Sequence, residues 1–190
     1  MYFHARSLSN KVVLLQNYAS EYKPKVIAIT ETRAKPEIPD GAYALPGYTL
    51  LRADRCIKRG GGVMIYMKQD FISSQISLGS YSDFEFVACK LNVTKKDTIG
   101  ILCIYRPPNI TDTGDLDLVE LMNNFLEQNF NFNIIIGDLN MPSVDWKLMK
   151  APSKFQCFME SCEKHFLKQH VTESTRPNSK TVLDLVFTTV

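Results

Sequence analysis

The sequence predicts an α/β protein in which two stacked, mostly antiparallel sheets carry helices on their outer faces. Three observations lead there. The runs Val26-Ile27-Ala28-Ile29 and Ile134-Ile135-Ile136 show no polar alternation, which suits strands covered on both faces. Hairpin-like strand pairs fill the first half, and strand and helix signals then alternate without a clean βαβ rhythm. No glycine-rich phosphate loop follows the first strand, which disfavours a doubly wound nucleotide fold.

Element by element, residues 2–5 form a short apolar segment, and Ser7 or Ser9 caps a helix to about Tyr22. Val12, Leu15, Tyr18, Ala19 and Tyr22 fall at helical spacing, and Pro24 ends that helix. The strand through Thr30 follows, and residues 32–47, rich in Pro, Gly and Ala, read as a loop. Strands over 48–53 and 63–68 are joined by a basic turn through Gly60-Gly61-Gly62, with further strands over 72–78, 84–92 and 98–105. Pro107-Pro108 closes the last of these. Asp115 or Asp117 begins a helix to about Asn129, with Leu118, Leu121, Met122, Phe125 and Leu126 on one face. After the strand that carries Asp138, Ser153 caps a helix expected to turn Phe155, Phe158, Met159, Cys162 and Phe166 inward. Strands over 168–172 and 182–188 finish the chain, giving about nine or ten strands and three helices in a single domain over residues 1–190.

A chain of 190 residues can bury about two-thirds of its unfolded surface. Hydrophobic content of 45% and charged content of 22% argue against wholesale disorder. The net charge of +2 is too small to argue for nucleic acid, but Arg52, Arg55, Lys58 and Arg59 cluster before the glycine turn. That cluster reads either as a solvated hairpin end or as a phosphate-contacting loop. Five scattered cysteines offer no CxxC pair and no zinc spacing, so reduced thiols in an intracellular compartment are the expectation. No apolar stretch approaches the roughly 20 residues that span a bilayer, and the first residues do not form a signal peptide.

The candidate chemistry lies where the strands end. Acids at such points sit partly desolvated in a crevice and are held rigidly, which builds an oxygen-ligand site for a hard divalent cation. Glu31 follows Val26-Ile27-Ala28-Ile29-Thr30 directly, as a cation ligand or as a solvated sheet edge. In Gly137-Asp138-Leu139-Asn140 an acid and an amide two residues apart point the same way on extended chain, unless they form an Asx-type turn. Aspartate can accept a proton from water, and asparagine can bind a phosphoryl oxygen without adding negative charge. Tyr105 and Arg106, before the stiff Pro107-Pro108 corner, could both donate to phosphate. Asp184 lies inside a strand-like stretch, where a charge usually has a partner or a task; Thr175 and Arg176 either reach the same crevice or form a loop. Convergence of these strand ends would make one site.

The ordered set Ala5-Arg6-Ser7-Leu8, Ile29-Thr30-Glu31-Thr32, Pro46-Gly47-Tyr48, Gly60-Gly61-Gly62-Val63, Tyr105-Arg106-Pro107-Pro108, Gly137-Asp138-Leu139-Asn140 and Leu183-Asp184-Leu185-Val186-Phe187 resembles the endonuclease/exonuclease/phosphatase superfamily. Within it the chain looks most like the apurinic-type endonuclease domain of non-LTR (LINE-type) retrotransposons, and Trp146 suits that group. The resemblance implies a four-layer α-β-β-α sandwich of the DNase I-like kind. It implies a phosphodiesterase dependent on Mg²⁺ or Mn²⁺ that nicks one strand of target DNA in the nucleus. The freed 3′-hydroxyl then primes a reverse transcriptase domain further along the same polyprotein. On the same basis Glu31 would hold the metal, Asp138 would activate water, and Asn140 and Tyr105 would contact the phosphate. Asp184 would orient a catalytic histidine, and Thr175, Arg106 and Arg6 would lie toward the substrate.

Three departures from the family pattern stand out. His4 takes the place of an asparagine, and Arg33 that of a tryptophan. The family's Ser-Asp-His motif beyond the Asp184 strand does not occur before Val190, so the expectation is a domain cut short at its C-terminus, with weak activity. His165 and His170 read as helix-end and strand residues. The competing readings are a catalytically dead nucleic-acid-binding remnant and another phosphodiesterase or phosphatase of the same superfamily.

Overall fold

A computed structural model describes residues 1–56, 60–176 and 181–189, so Lys58 and Arg59 of the basic cluster lie outside the described residues. Within them the order is β1 (Tyr2–His4), α1 (Val12–Tyr22), β2 (Val26–Thr30), β3 (Tyr48–Ala53), β4 (Val63–Lys68), β5 (Ile72–Gln75), β6 (Glu85–Asn92) and β7 (Thr98–Tyr105). Then come α2 (Asp112–Leu126), β8 (Phe132–Asp138), α3 (Gln156–Lys164), β9 (Leu167–Gln169) and β10 (Asp184–Thr189).

Four strands form one sheet in the order β1-β2-β4-β3, and six form the other in the order β5-β6-β7-β8-β10-β9. Among the described residues, only the β1–β2 and β7–β8 pairs run parallel. Three apolar layers glue four structural ones together. Leu15 and Ala19 of α1 pack on Ile27, Ile29, Met64 and Tyr66 on the outer face of the small sheet. Between the sheets, Ala28, Val63, Ile65 and Met67 meet Val87, Cys89, Ile101 and Cys103. Outside the large sheet, Leu118, Leu121, Met122 and Phe125 of α2 and Phe158 and Cys162 of α3 cover Leu102, Ile104, Ile135, Leu185 and Phe187. Strands sandwiched on both sides need apolar residues at every position, which explains the unbroken runs in β2 and β8. This is the expected α-β-β-α arrangement.

Cys89 and Cys103 are free thiols in the inter-sheet layer, and burial pushes the Cys89 thiol up to about 12, so they behave as small hydrophobes. No helix among the described residues is long and apolar enough to cross a membrane.

Several boundaries differ from expectation for local reasons. Helix α1 starts at Val12 behind Lys11 with no side-chain cap, and the N–H groups of Ser7 and Leu8 upstream donate to the carbonyls of Glu31 and Thr32. Thr111 caps α2 by accepting from Gly114 N–H, one turn before Asp115, which is drawn inward to pair with Arg106. Residues Asp40–Tyr43 make a turn of 3-10 helix inside the predicted loop. Helix α3 ends at Lys164, and Phe166 follows in the left-handed region at φ 52°, leaving it 79% exposed instead of inward. His165 caps α3 beside Asn123, the expected helix end, whereas His170 lies just past the end of β9 and hydrogen-bonds Thr188.

Phe125→Ala should therefore lower unfolding free energy by about 3–5 kcal/mol through the cavity it leaves. Phe166→Ala should change it by under about 0.5 kcal/mol, and urea titrations of the two variants check the contrast.

Candidate active site

Strand register brings the predicted residues to one edge. Tyr105 ends β7 opposite Asp138 at the end of β8, and Asp138 in turn lies opposite Asp184 at the start of β10. Three neighbouring strands thus deliver a tyrosine and two carboxylates side by side. Gly137, just before Asp138, allows this close pairing, since a Cβ there would run into the carbonyl oxygen of Ile104. From the small sheet, Glu31 follows β2 in the left-handed region at φ 55°, a turn that takes it out of the strand.

Side chains join the two sheets across this edge. The Tyr105 hydroxyl hydrogen-bonds Glu31. The Tyr2 hydroxyl donates to Asp184 Oδ1 at 2.6 Å and lies 2.7 Å from Thr30 Oγ1. Burial and the neighbouring Asp184 raise the Tyr2 pKa well above normal, so this hydroxyl stays a donor. Burial likewise raises Tyr105, helped by the bond to Glu31.

Asp138 is only 1% exposed. Its Oδ2 accepts from Arg176 Nη2 at 2.7 Å and lies 3.1 Å from His4 Nε2. Arg176 also stands 3.9 Å from Asp184 Oδ2, so one guanidinium bridges both carboxylates. Asp138 Oδ1 is buried with no hydrogen-bond partner among the described residues. An unsatisfied carboxylate oxygen out of water is costly unless a water, proton or cation completes it.

Glu31 Oε1 accepts from Gly61 N–H at 3.2 Å and Oε2 from Arg33 Nε at 3.0 Å. Burial alone raises a carboxyl pKa, but the bonds from Tyr105, Gly61 and Arg33 outweigh it, and Glu31 lies below its usual range. The glycine turn is fixed by Glu85, which accepts from Gly62 N–H and pairs with Arg55, while Arg55 lies over the Tyr105 ring at 5.2 Å. Arg55 of the basic cluster is therefore part of the site's frame.

Three expected substrate residues turn out to be placed differently. Arg106 is 1% exposed and points inward: Nε pairs with Asp115 at 2.7 Å and Nη1 donates to the carbonyls of Leu139 and Asn140. Buried and held by these partners, its guanidinium is not presented at the surface. Asn140, at φ 47°, returns the contact by donating from Nδ2 to Arg106 O at 2.7 Å, so its amide braces the chain around Asp138. Thr175 accepts at Oγ1 from the N–H groups of Leu183 and Asp184, which ties the entry of β10. Arg6, by contrast, is exposed on the loop that runs beside Glu31.

Tyr2 was not singled out by the sequence, since its role depends on a partner 182 residues away. In the sequence Arg33 reads only as a departure from the family pattern, and Arg176 as either a crevice neighbour or a loop residue.

The described residues contain no group of three or more His, Cys, Asp or Glu close enough to hold an ion. Mg²⁺ keeps several waters and asks for only one or two carboxylates, so Glu31 with the unpartnered Asp138 Oδ1 nearby suits it in donor chemistry.

A two-sheet sandwich with helices on its outer faces, and with acids and a tyrosine gathered at one edge, is a DNase I-like architecture. Residues 99–190 match the family model described as Endonuclease-reverse transcriptase. The structure is similar to an AP endonuclease from Leishmania major (TM-score 0.72, 15% identity), covering 99% of this chain and 78% of that one. It is similar to an AP endonuclease from Archaeoglobus fulgidus (TM-score 0.67, 14% identity, 99% and 85% covered). It also resembles the endonuclease domain of TRAS1, a telomere-specific non-LTR retrotransposon (TM-score 0.66, 12% identity, 98% and 82% covered). No curated protein sequence matches this chain.

Two outcomes follow from the geometry. Asp115→Ala strands the buried Arg106 charge and should cost about 3 kcal/mol or more in urea unfolding. Because the folded Glu31 pKa is depressed, its ionised form stabilises the fold above the unfolded pKa of about 4.3, and that share is lost as pH falls through the folded value. Wild type should therefore be more stable than Glu31→Gln at pH 6, and the gap should close as the pH is taken below about 4.

Proposed function

We propose that this chain is a Mg²⁺- or Mn²⁺-dependent DNA endonuclease domain that nicks one strand of target DNA in the nucleus. The freed 3′-hydroxyl would prime a reverse transcriptase domain of the same polyprotein, as part of a non-LTR retrotransposon. The observation that carries the reading is the chain of contacts at one sheet edge, from Glu31 through Tyr105 to the adjacent Asp138, Arg176 and Asp184. The similarity to AP endonucleases and to the TRAS1 domain, and the family match, support nuclease chemistry and a polymerase partner.

Bound Mg²⁺ would supply Lewis-acid neutralisation of the charge that develops on the phosphate. Glu31 would hold it. Asp138 is the base: its unpartnered Oδ1 can take the proton of a water held beside it, while Arg176 and His4 fix Oδ2 and so orient the group. Tyr105 keeps its proton at neutral pH and can donate to a phosphoryl oxygen. Asn140 and Thr175 act by holding the chain on which Asp138 and Asp184 sit. Arg6, on the exposed rim, would meet the DNA backbone. Asp184 faces Tyr2 and Arg176, with no catalytic histidine beside it among the described residues. Without a histidine to stabilise the transition state, a deficit of about 10²–10⁴-fold in rate is expected.

Supercoiled plasmid with Mg²⁺ is the assay. The 190 residues should nick slowly, Asp138→Ala should abolish the nicking, and a C-terminal Ser-Asp-His extension should raise it. Salt-sensitive DNA binding without cleavage, even with that extension, would instead establish a nucleic-acid-binding remnant.

A further inference from the structure

Glu31 is the acid assigned to the cation, yet both its oxygens already have donors, and the two donors differ in kind. Gly61 N–H, on Oε1, belongs to a backbone turn at φ 73° that is packed against Glu85 and Arg55. It is fixed. Arg33, on Oε2, has an equally fixed backbone: φ is 52° and its N–H donates to Gly61 O at 2.9 Å. Its side chain, however, is 40% exposed against 10% for Glu31, so the guanidinium covers the carboxylate from the solvent side. Only side-chain rotation separates it from water. A pair open to solvent on one side is weak and exchangeable.

Among the described residues, the cations Arg55 and Arg176 are not in that position. Arg55 is 11% exposed and clamped on Glu85, and Arg176 is 17% exposed and bridges Asp138 and Asp184. Arg33 is thus a tethered, half-exposed positive charge on Glu31 Oε2. A divalent ion and a guanidinium cannot share that oxygen closely, because their mutual repulsion at contact distance opposes it.

We propose that Glu31 Oε2 is a shared cation position, filled by the Arg33 guanidinium until an oxygen-preferring divalent ion displaces it. Arg33 thereby sets how much divalent ion the site requires. Once displaced, it stands at the rim as a bidentate donor for a phosphodiester. The inference rests on the nuclease reading for the nature of that anion; the exchange itself does not need it.

Mn²⁺ binding to the metal-free protein, without DNA, tests the exchange by calorimetry or by the paramagnetic resonance of free Mn²⁺. The proteins are wild type, Arg33→Gln, Glu31→Gln, the double variant, and Lys25→Gln. Lys25, 62% exposed just before β2 and so at the end of that strand away from Glu31, controls for loss of one positive charge. Arg33→Gln should bind Mn²⁺ about three- to tenfold tighter than wild type, the range a half-exposed ion pair can impose. The gain should vanish without Glu31, and Lys25→Gln should shift affinity by less than about twofold. The proposal is overturned if Arg33→Gln binds no tighter, if Lys25→Gln gains as much, if the gain survives without Glu31, or if neither wild type nor Arg33→Gln binds Mn²⁺. A chain with the expected Arg33 dependence that nicks no DNA would defeat the nuclease reading and leave the exchange standing.

Discussion

A carboxylate almost wholly out of water must be surrounded by donors or positive charge, and Asp138 is the group whose needs organise this molecule's edge. Arg176 and His4 answer one of its oxygens, while the other is open to a proton, a water or a cation. Everything nearby keeps that arrangement in place. The inward Arg106 ties the turn after Asp138 to the first turn of α2 through Asp115, and Asn140 and Thr175 brace the chain on either side. A buried ion pair such as Arg106–Asp115 adds little net stability against an apolar pair, but losing one member is severe. Its value here is positional: it decides where the loop carrying Asn140 can go.

Electrostatic balance runs through the whole site. Three carboxylates, Glu31, Asp138 and Asp184, are matched by Arg33 and Arg176, with tyrosine hydroxyls donating to Glu31 and Asp184. Such matching offsets the mutual repulsion of like charges on adjacent strands. It also makes the site compact enough to exclude bulk water around Asp138 while Glu31 meets solvent through the Arg33 side chain. The two sheets are held together at this point by Tyr2 and Tyr105 as well as by the apolar layer between them. Chemistry and fold thus share the same contacts.

The legible part of the structure was the part written in local patterns. Continuous apolar runs marked β2 and β8, helical spacing marked α2, and acids directly after apolar runs marked Glu31 and Asp138. What escaped depends on partners far along the chain. Tyr2 looked like one more apolar strand residue because Asp184 is 182 residues away. Arg106 looked like a phosphate donor because nothing local says that Asp115 will turn to meet it. Thr111 lost the cap assignment to Asp115 for the same reason. Phe166 fits the helical spacing of α3, but the helix stops two residues earlier and a left-handed turn carries it outward.

We propose that Glu31, Tyr105, Asp138 and Asp184 form a single site that one divalent ion would complete. A crystal of the protein soaked in Mn²⁺, with the metal located by anomalous scattering, addresses it most directly. The account predicts one peak at this edge, in contact with Glu31, with Asp138 and Asp184 on adjacent strands beside it. A peak elsewhere on the surface, or carboxylates splayed apart with Tyr105 no longer bonded to Glu31, would contradict it.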